Sequence, residues 1–409
     1  MKKLYESLKE RGFVYQYTNE EQVKNLVNGK TTVYVGIDPT ADSLHIGHCL
    51  PLIMLKRFQD WGHKVIVLLG GATAQIGDPS GKNNMRKMID TNFINTNLSQ
   101  IKALISKFIK LDGENPAIIV NNADWTCDKK YIDFMREVGV HFNVSKMLAS
   151  DSCAKRLENG GLTFLEMGYM LIQANDFVHL NRTYGCMLQV GGSDQWANML
   201  AGVELGRKLN HLEGKSEDSF QAFTVPLLTN SEGVKMGKTV NGALWVDKNK
   251  TSVYDFYQYF INIDDRDVEK LLLMLTEIDL KKINSLVSTD IREAKRVMAL
   301  EVTALVHGRQ NAIIAQETAH ALFQQGDAKD APTFELNKSL VNFQIVDLLY
   351  ESKLCASKGE GRRLIEQGGV QLNGNKVEKF SQLVCAQDFT QGYAIIKKGK
   401  KQFLKVVLK

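Results

Sequence analysis

Two histidines flank an Ile-Gly pair in His45-Ile46-Gly47-His48, where an apolar run gives way to a helical pattern. The segment Tyr34 to His48 reads as strand, turn and helix start. A helix N-terminus offers unpaired backbone N–H groups and a partial positive charge, which suits phosphate. His45 and His48 share one face of that first turn, so both are placed to reach phosphate oxygens. Gly47 has no side chain, so a flat base can press against the backbone there. Pro51 requires the helix to begin near Gly47 or His48, where its missing N–H would be unpaired in any case. Leu50, Ile53, Met54, Phe58 and Trp61 then form the buried stripe. A second cationic feature is Lys235-Met236-Gly237-Lys238-Thr239, in a glycine-flanked loop after the fifth expected strand. Two lysines so spaced can close over a triphosphate and neutralise charge as pyrophosphate leaves. Either feature alone is weak, since His-x-x-His is often a cap and Lys-x-x-Lys a solvated face. Together they point to a nucleotide site.

The elements that must position these residues alternate in type. Short apolar runs at Val33–Ile37, Val65–Leu69, Ala117–Val120, Leu188–Val190 and Phe223–Leu228 read as strands. Helical patterns separate them at His48–Trp61, Leu98–Leu111, Thr163–Leu180 and Gln195–Leu209. That alternation predicts an α/β, doubly wound parallel-sheet (Rossmann-like) domain over residues 1–229, with ligands at the carboxyl ends of its strands. Residues 230–250 carry the lysine loop. From Val253 the strand patterns stop, and Val268–Thr276, Leu280–Ser288 and Asp290–Val306 read as amphipathic helices of a helical middle domain over 251–325. A polar stretch with Gly326 and Pro332 reads as a linker over 326–340, and a small α+β domain over 341–409 follows.

Composition bounds the class. The 409 residues exceed one ordinary domain, and 44% hydrophobic with 24% charged residues is usual for a soluble protein. No apolar run approaches the ~20 residues needed to cross a bilayer, and charge at Lys9, Glu10 and Arg11 breaks any secretory core, so a cytoplasmic location is expected. The six cysteines are scattered without a Cys-x-x-Cys pair, so neither a zinc site nor a disulfide framework is expected. The +5 net charge is unevenly spread: residues 353–409 hold twelve Lys/Arg against four Asp/Glu, and the rest holds 39 against 42. A basic tail on a near-neutral body suggests a polyanion partner for the tail.

The two cationic segments resemble the HIGH and KMSKS motifs of class I aminoacyl-tRNA synthetases, with Gly237 and Thr239 where the second motif has serines. Three further segments narrow the resemblance: Gly70 to Lys82 after a strand, Tyr169 to Asp176 on a helix, and Gln189 to Trp196 at a strand end. Over essentially the whole chain the sequence is similar to bacterial-type tyrosyl-tRNA synthetases. That resemblance implies that Tyr34 and Asp176 bind a substrate phenol, one donating and one accepting a hydrogen bond. Phenylalanine would leave both unpaired, and a site built to bond a hydroxyl rejects such an analogue by about 10⁴–10⁵, the tyrosyl enzymes being themselves the type case of that rule. It further implies that Asp78, Tyr169 and Gln173 surround the α-ammonium, with Gln189 also at the tyrosine. Gly36, Asp38, Gly47, Gly192, Asp194 and Gln195 line the adenylate, with Asp194 at the ribose. Thr40, His45, His48, Lys82, Arg86, Lys235 and Lys238 serve the phosphates and the chemical step. ATP is then a substrate, with Mg²⁺ arriving on it rather than in a metal site. The implied partners are L-tyrosine, ATP and tRNA(Tyr), with a homodimer and no membrane.

At the C-terminal end, Ser357 to Ile365 resembles the start of an S4-type RNA-binding domain. The Asn373-Gly374 pair between alternating segments is a two-residue hairpin signal. Lys358, Arg362, Arg363 and Lys376 form the expected basic face, with Lys397, Lys398, Lys400 and Lys401 adding to it. The rival readings are a tryptophanyl-type synthetase, another nucleotidyltransferase with a HIGH-like turn, and a non-catalytic RNA-binding relative. The Tyr34/Asp176 pair, the basic tail and the retained histidines and lysines argue against these in turn.

Overall fold

A computed structural model describes residues 3–80, 89–158, 161–239, 242–324, 333–336, 343–389, 393–399 and 402–408. The chain divides into two compact units, residues 1–250 with 263–294, and residues 251–262 with 295–409. The division runs through the helical stretch 251–325 rather than along its edges.

The first unit is built on six strands: β1 (Gln16–Tyr17), β2 (Thr32–Ile37), β3 (Lys64–Leu69), β4 (Ile118–Asn121), β5 (Cys186–Gly192) and β6 (Gln221–Val225), in the order β1-β6-β5-β2-β3-β4. All pairs are parallel except β1 with β6 at one edge. The chain moves outward from β2 through β3 to β4, then returns to β5 on the other side of β2 and continues to β6. Helical crossovers join the parallel strands on each side, and the strand order reverses between β2 and β5. A crevice opens at such a reversal. The near-continuous burial of β2 and β3 is what a sheet covered on both faces demands. One core joins Tyr34, Ile66 and Leu68 to Phe177, Met199 and Val203 from the helices Phe164–Tyr184 and Trp196–Leu212.

The five expected parallel strands are present, and their bounds move by a few residues. The last ends at Val225, before Pro226, whose ring removes a ladder donor. The polar two-residue edge strand β1 carries no sequence signal. The helix expected over Leu98–Leu111 spans Thr91–Ile105, because Asp90 caps it by accepting from the Asn92 N–H. Trp61, expected in the buried stripe of its helix, is 37% exposed at the last turn, whereas Leu50, Ile53, Met54 and Phe58 are buried. After the main sheet, β7 (Lys238–Thr239) and β8 (Gly242–Ala243) form a small antiparallel pair, and Asp265–Leu275 and Leu280–Thr289 are helices of this unit.

The second unit includes the helices Val253–Ile261 and Arg309–Gln324, which pack on one another. Its strands are β9 (Thr333–Leu336), β10 (Phe343–Gln344), β11 (Val370–Leu372), β12 (Asn375–Lys376), β13 (Leu383–Val384), β14 (Tyr393–Lys398) and β15 (Gln402–Leu408). Five of them form a sheet in the order β12-β11-β14-β15-β9, and β10 pairs with β13. Residues 333–336, expected in the linker, are a strand parallel to β15, with Leu336 in the core. The Asn373-Gly374 hairpin is present between β11 and β12, both residues at positive φ (49° and 82°) as a type I′ turn requires. No described helix is long and apolar enough to cross a membrane.

Candidate active site

The crevice at the strand reversal is a cavity of about 730 Å³. Side chains alternate along a strand, so Tyr34 and Gly36, with Asp38 just beyond, face it from β2, and Gln189 and Gly191 face it from β5. The helix Phe164–Tyr184 adds Tyr169, Gln173 and Asp176 from one stripe. A capping box of Thr163 and Glu166 starts that helix, and Gly185, at φ 64°, ends it before β5. Thr40, His45, Gly47, His48, Asp78, Gly192, Asp194, Gln195 and Lys235 also line the cavity. Lys82 and Arg86 lie outside the described residues. Lys238 begins β7, and its side chain is likewise outside the description.

At one end of the cavity the polar groups interlock. Thr73 Oγ1 donates to Asp38 Oδ1 at 2.8 Å, and the Tyr169 hydroxyl donates to Asp38 Oδ2 at 2.9 Å. Asn122 Nδ2 donates to Thr73 Oγ1 at 3.1 Å and to Asp176 Oδ2 at 2.9 Å. Trp125 Nε1 donates to Asp176 Oδ1 at 2.8 Å. Asp176 is buried, which pushes its carboxyl up to about 7 even though the Asn122 and Trp125 donors pull it down. Burial and the charge of Asp176 hold the Tyr34 phenol well above its ordinary value, so it stays a donor. Asp78 accepts from Gln195 Nε2 at 2.6 Å and from the Ser80 N–H at 3.0 Å, with Asn198 Nδ2 3.3 Å from its Oδ1. The Tyr34 hydroxyl, Gln173 Oε1 and Gln189 Oε1 are buried without a protein partner. Buried polar atoms are rarely left so, and three lining one cavity mark a site that a ligand completes. Gly70 is required here, because a Cβ would lie 2.0 Å from Asp38 Oδ1.

At the other end the groups are more open. His45 is the N-cap of the helix Ile46–Trp61, its Nδ1 accepting from the Gly47 N–H at 3.1 Å. His48 Nδ1 accepts from the His45 N–H at 3.3 Å, and the rings stack with centroids 3.8 Å apart. Cap and ligand are therefore not alternatives: with Nδ1 accepting, each neutral imidazole carries its proton on Nε2 as a donor. Burial, with His45 adjacent, pushes His48 down to about 3, so it is neutral at physiological pH. The helix starts at Ile46, one residue earlier than Pro51 was expected to allow. Pro51 is thus inside the helix, and the N–H that would pair with the Gly47 carbonyl is missing.

The lysine loop lies against this turn. Ile46 N–H donates to the Leu244 carbonyl at 3.1 Å and Val246 N–H to the Leu44 carbonyl at 2.8 Å. Gly237 has φ 81°, and a Cβ there would sit 2.3 Å from Ile46 Cγ2. The departure from serine at Gly237 is thus a packing requirement of this arrangement. Lys235 Nζ pairs with Asp194 Oδ2 at 3.1 Å, both partly exposed. Among the described residues no group of three His, Cys, Asp or Glu could hold a metal ion.

Asn122, Trp125, Thr73 and Asn198 carry much of this geometry, and sequence reading did not single them out as site residues. Asn122 and Trp125 stand 54 and 51 residues from Asp176, so no local spacing ties them to it. The basic face of the second unit is more tied down than expected. Lys358 pairs with Asp347 at 2.7 Å, Arg362 lies over the Phe380 ring at 5.1 Å, and Lys398 is mostly buried and bound to Glu360 at 2.9 Å. Lys398 is therefore committed to a partly buried ion pair rather than free on the surface, because a mostly buried ammonium needs a partner. Arg363 and Lys376 are exposed; Lys400 and Lys401 lie outside the described residues.

Comparison with known proteins accords with this cleft. Residues 25–324 match the family model of class I tRNA synthetases (W and Y), and residues 323–406 match the tyrosine–tRNA ligase SYY-like C-terminal domain. A tyrosine–tRNA ligase of Clostridium perfringens strain 13 is 49% identical over 413 residues, covering 100% of both chains. One from Clostridium tetani is 49% identical over 410 residues, covering 99% of each. Among solved structures, a C-terminally truncated mitochondrial tyrosyl-tRNA synthetase of Aspergillus nidulans superimposes with a TM-score of 0.71 at 29% identity, over 79% of this chain and 95% of that one. A tryptophanyl-tRNA synthetase of Encephalitozoon cuniculi, at 15% identity and a TM-score of 0.53 over 76% of this chain and 87% of its own, shares the fold alone. The chain belongs to the class I tRNA synthetases of the tryptophan and tyrosine group, on the bacterial-type tyrosyl branch.

Proposed function

We propose that this cleft carries out both steps of a tyrosine–tRNA ligase: adenylation of L-tyrosine by ATP, then transfer of tyrosine to the 3′ end of tRNA(Tyr). The observation that carries the reading is the buried, unpartnered Tyr34 hydroxyl near the buried carboxylate of Asp176, in the same cavity as the His45/His48 turn and Lys235. A phenol both donates and accepts, so Asp176 takes its proton-bearing side and Tyr34 donates to its oxygen. An indole can only donate, which leaves the Tyr34 hydroxyl without an acceptor. Asp78, Tyr169 and Gln173 hold the α-ammonium, favoured by the nearby carboxylates of Asp38 and Asp78. Gln189 closes the floor.

The tyrosine carboxylate attacks the α-phosphorus of ATP in line, and pyrophosphate leaves. Gly36, Asp38, Gly47, Gly192, Asp194 and Gln195 line the adenylate, Asp194 meeting the ribose hydroxyls. Thr40, the Nε2–H donors of His45 and His48, and the cations Lys82, Arg86, Lys235 and Lys238 stabilise charge that peaks as the bond to pyrophosphate breaks. Magnesium rides on the phosphates as part of the substrate. A tRNA ribose hydroxyl then attacks the mixed anhydride, releasing AMP.

The exposed Arg363 and Lys376, with Lys358 and Arg362, offer phosphate contacts for tRNA. A homodimer fits the exposed apolar side chains of Tyr131, Ile132, Val140, Val144 and Phe164. Sedimentation at monomer mass would remove the dimer from this reading. A cytoplasmic place of action fits the reaction. Tyrosine-dependent exchange of pyrophosphate into ATP tests the whole: no exchange, or equal exchange with tryptophan, overturns it.

A further inference from the structure

The acceptor direction of a buried carboxylate is set by the groups that donate to it, so whatever fixes those donors also tunes the site. Asp176 has two side-chain donors, Asn122 and Trp125. Asn122 is fully buried and fixed on three sides, since it also donates to Thr73 and accepts from the Ala72 N–H at 2.7 Å. Trp125 is different. It is only partly buried and sits on the four-residue helix Ala123–Thr126, which has no side-chain cap. Nothing in its own element holds the indole plane.

A second ring does. The His179 imidazole lies parallel to the Trp125 indole, with centroids 4.1 Å apart and planes 13° from parallel. His179 is three residues beyond Asp176 on the helix Phe164–Tyr184, so one helix supplies both the carboxylate and the plate against which its donor rests. Thr183, one turn further, places Oγ1 3.4 Å from His179 Nε2 and limits rotation of the ring. His179 does not line the cavity.

We infer that His179 is a positioning residue: by stacking on Trp125 it holds the indole N–H on Asp176, and so sharpens selection for a hydroxyl-bearing aromatic side chain. This rests on the reading of Asp176 as acceptor for the substrate phenol. The ring need only be flat, because the contact is face to face and His179 is held neutral by burial and the nearby Lys129 charge.

The experiment uses the full chain and pyrophosphate exchange, with separate KM values for tyrosine and ATP and the kcat/KM ratio of tyrosine to phenylalanine. His179→Ala is expected to raise the tyrosine KM about three- to tenfold and to lower the ratio by a similar factor, with the ATP KM unchanged. His179→Phe, which restores a flat ring, is expected to return both to within about twofold of the parent. His179→Gln, of similar reach but without a ring face, decides the same point if the Ala variant folds poorly. An unchanged tyrosine KM in the ring-less variants, a parallel loss for ATP, or a Phe variant no better than Ala overturns the inference. Asp176→Asn separates this from failure of the underlying reading. If that variant is also silent, the phenol assignment fails. If it is severe while His179→Ala is silent, only the role of His179 fails.

Discussion

The two ends of the cavity are built on opposite principles. At the Asp176 end the protein's polar groups bind one another except where the Tyr34 hydroxyl is left for a ligand. Asn122, Thr73, Asp38 and Tyr169 form one continuous chain, and Asp176 is 1% exposed. At the Lys235 end the cation is nearly half exposed and is held by one carboxylate, on a loop whose approach depends on Gly237. A buried, satisfied network strengthens each hydrogen bond and penalises any ligand that leaves one unmade. An exposed cation contributes little to ground-state affinity, yet it can stabilise charge that develops on a leaving group. On the proposed function, selectivity would thus belong to the closed end and rate to the open end.

The largest effect that would break this division is at Asp176. Asp176→Asn should raise the tyrosine KM by about 10²–10³, because the substrate phenol and the donors Asn122 and Trp125 lose a charged acceptor. Exchange kinetics measure it, and a loss confined to kcat would contradict the division. Next, Lys235→Ala should slow adenylate formation about 10²-fold while the tyrosine dissociation constant stays within about twofold. Single-turnover rates read the first and equilibrium titration the second; a tyrosine affinity that falls in parallel would place Lys235 at the wrong end.

A smaller effect sharpens the picture of the loop. Gly237→Ala meets Ile46 and forces an alanine to positive φ, so adenylation should slow roughly tenfold with tyrosine binding intact. Adding Ile46→Ala should recover part of the loss, the contact but not the dihedral strain. No recovery would show that Ile46 is not what confines position 237. An effect of similar size is expected in pH. The Asp176 carboxyl, raised to about 7, must be ionised to accept well. Its protonation below that point should weaken tyrosine binding about tenfold from pH 8 to pH 6, as linkage to one proton requires. Titration in Asp176→Asn should be flat over that range. His48, pushed down to about 3, adds no titration there.

Local pattern carried much of the fold. The apolar runs of β2 and β3, the helix start at His45 and the Asn373-Gly374 turn were all legible, because each rests on contacts within a few residues. The edge strand β1 and the strand β9 were not. Each is short, and each gains its identity from a partner far along the chain, β6 and β15 respectively. The same holds for the site. Tyr34, His45, His48, Asp176 and Lys235 from the motifs line one cavity, whereas Asn122 and Trp125, which hold Asp176, belong to no motif.

The sequence by itself suggested the chemistry. A His45 to His48 turn suited to phosphate and a lysine loop follow from residue types and short spacings, and the Tyr34/Asp176 pair for a phenol follows from the resemblance to tyrosyl-tRNA synthetases. Only the tertiary structure decided that His45 and His48 cap the helix through Nδ1 while presenting Nε2, and that position 237 must be glycine because Ile46 lies against it. It also decided that Lys398 is tied into a partly buried ion pair with Glu360 and that Asp176 is raised by burial. The physical reason is common to all four. Protonation, acceptor direction and room for a Cβ depend on neighbours brought close by folding, and the distance between those neighbours along the chain leaves no periodic trace.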